Sequence, residues 1–196
     1  MKKLIVLLLW SAIGFAQNNY TSKITKHRAE INQHFKDAKK SPLPKKKLKN
    51  FKTLPYFKIK PNYKVKAKLN YTFNSPITYI KNTAGKNEAY EQYALASFTI
   101  NGEKMDLPIY QSLTLKGKRG YENYLFIPFT DNSNGKTTYS GGRYLDTLIP
   151  EKPTGYIILD FNKAYNPYCA YNPKYTCPIP PKKNHLNISI SAGVKY

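Results

Sequence analysis

The chain has 196 residues and carries 32 Lys and Arg against 11 Asp and Glu, a formal charge of +21 and a pI near 9.8. A chain of this length can bury the core of one ordinary domain without relying on cross-links. Hydrophobic residues make up 41% and aromatics 14%, with 18 Tyr and 9 Phe, a load of large apolar side chains that excludes a disordered polyelectrolyte.

Residues 1–17 read MKKLIVLLLWSAIGFAQ. Lys2 and Lys3 form a charged start, 4–13 an apolar run, and Gly14-Phe15-Ala16 a small-x-small triplet, the three parts of a secretory signal peptide over 1–16. The run falls short of the roughly 20 apolar residues that span a bilayer, and no cysteine near the cleavage site could carry a lipid anchor. The expectation is an exported protein, periplasmic or secreted after cleavage near Ala16, whose mature part 17–196 keeps 180 residues and a charge of +19. In an oxidising compartment Cys169 and Cys177, eight positions apart, are expected to close one structural disulfide. CAYNPKYTC lacks the C-x-x-C spacing of redox pairs, and zinc would need further ligands from His27, His34, His185 or carboxylates, so neither a metal nor any other cofactor is expected.

Ile24, Ile31, Phe35 and Ala38 recur at near-heptad spacing and predict an amphipathic helix over 20–40, capped by Thr21 or Ser22 and stopped by Lys39, Lys40 and Ser41-Pro42. His27 and His34 lie seven apart on it, a poor metal pair without carboxylates beside them. Residues 41–62 form a connector in which Pro42, Pro44 and Pro55 bar regular structure while Phe51, Leu54, Tyr56 and Phe57 read as anchors on a core. Over 63–73 apolar and polar residues alternate, the clearest strand in the chain, with Lys64, Lys66 and Lys68 facing solvent. Shorter strands are predicted at 77–80, 93–100, 105–110, 124–129, 155–161 and 185–192, with a tight hairpin turn at Asn101-Gly102. Regular strands after a single helix predict a mainly β domain over 17–196, an antiparallel β-sandwich or distorted barrel.

The charge is uneven: 17–69 hold 16 Lys or Arg and two acids, 70–196 hold 14 and nine. Such a field attracts polyanions, among them anionic lipid headgroups, acidic glycans and extracellular DNA. Lys outnumbers Arg 29 to 3, whereas base-reading and bidentate phosphate sites lean on Arg, so no specific nucleic-acid site is expected. Diffuse attraction to an anionic membrane surface and a plain solvated lysine face both remain open.

The block from Phe129 reads FTDNSNGKTTYSGGRYLD, followed by GYIILDFNKAYNPYCAYNPKYTCPIPPKKNHLNISISAGVKY. With Asp131 and Gly135, Thr138-Tyr139, Gly142-Arg143-Tyr144-Leu145-Asp146, Leu159-Asp160-Phe161-Asn162, Ala164-Tyr165-Asn166-Pro167, and Cys177-Pro178 with Pro180-Pro181, it resembles the domain of unknown function 1684 family of exported bacterial proteins. The SPLP segment with Phe51, Leu54 and Tyr56-Phe57 extends the likeness over most of the mature chain. The resemblance implies no activity, substrate or fold. It does imply two departures, Lys183 before Asn184 and Val194 after Ala192-Gly193, where family members place Glu.

By residue chemistry alone, the block gathers Asp131, Arg143, Asp146, Asp160, Asn162, Tyr165, Asn166 and Asn184 at turns and strand ends, where binding residues tend to be built. Asp146 and Asp160 are the candidate carboxylate pair for general acid and base work, as in glycoside hydrolysis, with a separation that sequence does not give. Asp131, Arg143, Asn162, Tyr165, Asn166 and Asn184 are the ligand-binding candidates, and Tyr165, Tyr168, Tyr171 and Tyr175 either offer ring faces for sugars or bases or equally brace a proline-rich loop. Against this, Asp160-Phe161-Asn162 reads equally as an Asx turn, and Arg143 as one half of a structural ion pair. No nucleophile elbow or phosphate-cradling loop is present. The reading is a non-enzymatic envelope domain that binds a polar or anionic ligand such as a glycan. An envelope carbohydrate hydrolase and a purely structural or partner-binding protein are the alternatives.

Overall fold

In the computed structural model, which describes residues 2–152 and 154–196 and side chains from Asn19 onward, β1 (Lys64–Tyr71) keeps strict alternation. Val65, Ala67 and Leu69 point into the core while Lys64, Lys66 and Lys68 stay in water, as a one-sided strand requires. β2 (Thr78–Lys81) and the long β3 (Asn87–Ile100) follow, and β3 turns into β4 (Glu103–Ser112) through Asn101 and Gly102, both at positive φ. That is the tight hairpin expected from the Asn-Gly pair.

β5 (Tyr124–Asp131), β6 (Arg143–Leu148), β7 (Tyr156–Asp160) and the two-residue β8 (His185–Leu186) complete eight strands. They form one strongly curled antiparallel sheet, a half-barrel, in the order β6-β5-β4-β3-β1-β7, with β2 beside β3 and β8 pairing parallel to β5. The two edges meet at one end, where Tyr165, just past β7, pairs with Tyr144 of β6 through amide bonds of 2.9 and 3.0 Å. Inside the curl lie Ala67, Leu107, Ile109, Leu125, Ile127, Phe129, Leu159 and Phe161, all fully buried. The outer face of β4 to β6 is covered as well, by Tyr90, Tyr110, Phe126 and Tyr144 packed under the loop that carries Cys177. Burial on both faces explains why β5 is buried almost throughout.

The N-terminal helix α1 is longer than its sequence signals: it spans Lys2–Lys36, because no proline interrupts the chain between the leader and Thr21. It also ends a turn early, since the Asp37 carboxylate accepts the Lys39 amide and starts a turn ahead of Pro42. Ile24 and Phe35 are buried as the heptad spacing predicts. α1 docks on the connector through Arg28 Nη1, which donates to Phe57 O at 2.9 Å, and Asn32 Oδ1, which accepts from Leu54 N at 2.9 Å. The connector's expected anchors hold, with Leu54 buried against Phe35 and Val194. Among the described residues no helix is long and apolar enough to cross a membrane.

The strand predicted over 185–192 keeps its burial alternation, with Leu186, Ile190 and Ala192 inside, yet only two residues pair as a strand. The carbonyls of Ile190, Ala192 and Val194 bond instead to the Arg143 guanidinium, at 2.8, 2.6 and 3.4 Å. One side chain takes the place of a neighbouring strand.

Candidate functional site

On β6, side chains alternate between the core and the outer face. Arg143 and Leu145 point in, Tyr144 and Asp146 point out. The inward Arg143 is fully buried and pairs with Asp131 at 2.8 Å. Asp131 Oδ1 also accepts the Ser133 amide and hydroxyl and the Ile190 amide. Asn184, equally buried, accepts from Tyr110 Oη and donates to Pro108 O and Pro128 O. Asp131, Arg143 and Asn184, expected as ligand-binding candidates, thus direct their hydrogen bonds into the protein and lock the C-terminal segment onto the sheet. Burial and internal pairing leave them no face toward solvent.

The outward residues frame a different region. A cleft of about 580 Å³ opens between α1 and the loop that follows β7, walled by His27, His34, Tyr144, Tyr165, Tyr168 and Tyr175. Tyr56, Asp146, Asn162, Lys163, Asn166 and Val194 also reach it. Asp146 accepts one hydroxyl on each oxygen, from Tyr124 Oη to Oδ1 and from Tyr165 Oη to Oδ2, both at 2.7 Å. Asp146 is exposed toward the cleft, with the Tyr124 and Tyr165 side chains against its inner side. Desolvation by the surrounding protein pushes its carboxyl above the ordinary range, with the two tyrosine donors pulling the other way. The same burial pushes the phenols of Tyr124 and Tyr165 up, and the neighbouring carboxylate adds to it, so both remain donors at neutral pH. His27 is pushed below the usual imidazole range by burial and then by Lys163.

Asp160 is not at the mouth of this cleft but in a smaller adjoining pocket of about 230 Å³, which Asp146 and Lys163 also line together with Tyr20, Lys23 and Lys64. Asp160 Oδ1 accepts Tyr20 Oη at 2.8 Å and the Asn162 amide at 3.1 Å, the Asx turn foreseen as one reading of Asp160-Phe161-Asn162. Asn162 in turn clamps Lys60 through its Oδ1 and Nδ2. Asn166 donates to Tyr171 Oη at 3.2 Å and Lys195 O at 3.1 Å, and its buried Oδ1 has no partner among the described residues. Cys169 and Cys177 are free thiols brought side by side, with the Cys169 amide donating to Cys177 Sγ at 3.2 Å. Burial pushes the Cys177 thiol up to about 12. Among the described residues no His, Cys, Asp and Glu cluster suits a metal.

Of the residues expected from sequence, Asp146, Tyr165, Asn166 and Asn162 thus gather at the cleft, with Asp160 next door. Sequence reasoning missed Tyr124, Tyr144, His27 and Lys163 as site members. The alternation Arg143-Tyr144-Leu145-Asp146 was the available signal for Tyr144.

Fold and site together define a half-barrel domain with an aromatic cleft on its outer face, closed on one side by the N-terminal helix. The chain belongs to the DUF1684 family, described as proteins of unknown function, whose pattern matches residues 49–195. A solution NMR structure of an uncharacterized protein from Haloarcula marismortui is similar, with a TM-score of 0.70 and 29% identity over 92% of this chain and 96% of that one. No curated protein matches the chain.

Proposed function

We propose that this is an exported envelope domain that binds a polar, ring-bearing ligand such as a glycan in the cleft beside Asp146. The observation that carries the reading is the cleft itself: several tyrosine faces and one open carboxylate in about 580 Å³, a size and lining suited to a small organic ligand. Tyrosine rings stack on the apolar faces of sugars while Asp146, Asn166 and Tyr56 supply hydrogen-bonding groups for hydroxyls. Calorimetric titration with envelope oligosaccharides tests it. Binding by the native chain should weaken about tenfold or more in Asp146→Asn, since a charge-assisted bond is lost, and unchanged affinity would sink the assignment.

Asp146 also makes a stability prediction. Its carboxyl is raised in the folded state, so between the ordinary carboxylate pKa and the raised value the folded chain holds a proton that the unfolded chain has already released, while above the raised value both are ionised. Its contribution is therefore most favourable below the ordinary carboxylate pKa and is lost as pH rises through the raised value. Asp146→Asn should melt higher than the native chain at pH 7, with the difference shrinking towards pH 3. A lower melting point at pH 7 would contradict the desolvated carboxylate.

A second reading, hydrolysis of envelope carbohydrate, draws on the fact that Asp146 and Asp160 line one small pocket. It requires both Asp146→Asn and Asp160→Asn to abolish turnover of an oligosaccharide. Export with cleavage after Ala16 and closure of Cys169 to Cys177 belong to the same proposal. Intact mass of the exported protein should begin at Gln17 and rise by two hydrogens on reduction.

A further inference from the structure

We infer that the cleft selects a ligand bearing a protonated or alkylated amine, with the Asp146 carboxylate as its counter-ion. The inference builds on the binding reading above and names the chemistry that the cleft selects. Among the described residues no Lys, Arg or His lies within ion-pair distance of Asp146, and unlike the other acids without an ion pair it lines the large cleft. Lys163 lines the same cleft without reaching it. Two tyrosine hydroxyls occupy one direction on each oxygen, and a carboxylate oxygen accepts more than one hydrogen bond. The remaining lone pairs are available on the side that opens to the cleft.

The surroundings suit a cation. Tyr144, Tyr165, Tyr168 and Tyr175 line the cleft with the carboxylate. Tyr144 and Tyr165 meet edge to face at 5.7 Å and Tyr168 and Tyr175 at 5.3 Å, so the rings present faces in several directions. Aromatic faces beside a carboxylate are the chemistry that receives an ammonium group. The second acceptor is Asn166 Oδ1, on a residue only 2% exposed, which has no partner among the described residues. Its orientation is fixed because Nδ2 must face the Lys195 carbonyl. A carboxylate and an orphaned amide oxygen both call for donors, which an ammonium on a hydroxyl-bearing ring supplies. An anion would meet Asp146 head-on. Lys163 in the cleft and Lys23 and Lys64 in the adjoining pocket oppose a cation locally, but none is within ion-pair distance of Asp146, and the field of the more distant lysines is screened beyond roughly 8 Å at physiological ionic strength, whereas direct contact with Asp146 is not.

The shared chemistry is an ammonium, and it could be carried by a de-acetylated amino sugar or by a small quaternary amine. The test is calorimetric titration of the exported protein with the β-1,4 glucosamine tetramer, its fully N-acetylated counterpart, and choline. The glucosamine tetramer should bind about tenfold more tightly than the acetylated one or better, and Asp146→Asn should erase that preference. Equal or tighter binding of the acetylated tetramer overturns the amine inference and leaves the glycan reading standing. Binding of choline alone overturns the glycan reading and supports Asp146 as a counter-ion. No binding of any of the three overturns both. The comparison of ligands on the native chain decides the matter even if the variant fails to fold.

Discussion

Arg143→Met should lower the free energy of unfolding by about 3 to 5 kcal/mol, the range found when one partner of a buried ion pair is removed. The reason lies in what the guanidinium holds. It neutralises Asp131 at 2.8 Å and bonds the carbonyls of Ile190 and Ala192, with Val194 at longer range, so the substitution leaves a buried carboxylate and the carbonyls of a whole segment unpaired. Methionine fills similar space and removes the packing argument. Since a domain of this size has only about 5 to 15 kcal/mol in total, the variant should sit close to unfolding at 37 °C. Urea denaturation followed by circular dichroism measures the loss, and the double variant Arg143→Met/Asp131→Leu should recover part of it because no charge is left stranded. A loss under about 1 kcal/mol for the single variant would mean that water reaches the pair.

Gly193→Ala should cost about 3 kcal/mol. Gly193 has φ +77°, and a Cβ there would stand 2.5 Å from Ala164 O, 2.9 Å from Ala164 Cβ and 2.9 Å from Phe161 O. The left-handed conformation contributes about 1 to 2 kcal/mol and overpacking against backbone about 1 to 3. The close approach has a purpose: Val194 N donates to Ala164 O at 2.9 Å and Phe57 N to Gly193 O at 3.0 Å, which ties connector, β7 loop and C-terminus together behind the cleft. Gly120 is the control. Its φ is +88° but nothing lies within 4 Å of the added carbon, so Gly120→Ala should cost only about 1 kcal/mol. Equal losses at the two positions, read from the same denaturation curves, would remove the steric part of the argument.

How much of this was legible in sequence depended on whether an element faces water. β1 was plain because its lysines and apolar residues alternate across a one-sided strand. The β3–β4 hairpin was plain because Asn101-Gly102 supplies two positive-φ residues. β6 escaped because its inward positions begin with an arginine and its outward positions bury Tyr144 under a loop, so polarity no longer marks the two faces. The strand expected over 185–192 was half right: alternation reports which side is buried, and says nothing about whether backbone partners are strands or a guanidinium. The cleft was less legible still. Asp146 and Tyr165 were picked out by residue chemistry, but His27 on α1 and Tyr124 on β5 join them only through the closing of the sheet edges at Tyr144 and Tyr165.

The proposed ligand enters the cleft between α1 and the loop after β7. The most direct measurement is a protein-observed NMR titration with the glucosamine tetramer, mapped on assigned amides. Shifts should cluster on the cleft amides of His27, Tyr56, Tyr144–Asp146, Tyr165, Asn166, Tyr168 and Tyr175, saturate together, and need about tenfold more ligand in Asp146→Asn. Shifts that instead follow the exposed lysines of β1, Lys64, Lys66 and Lys68, would contradict it and make the charged face the binding surface.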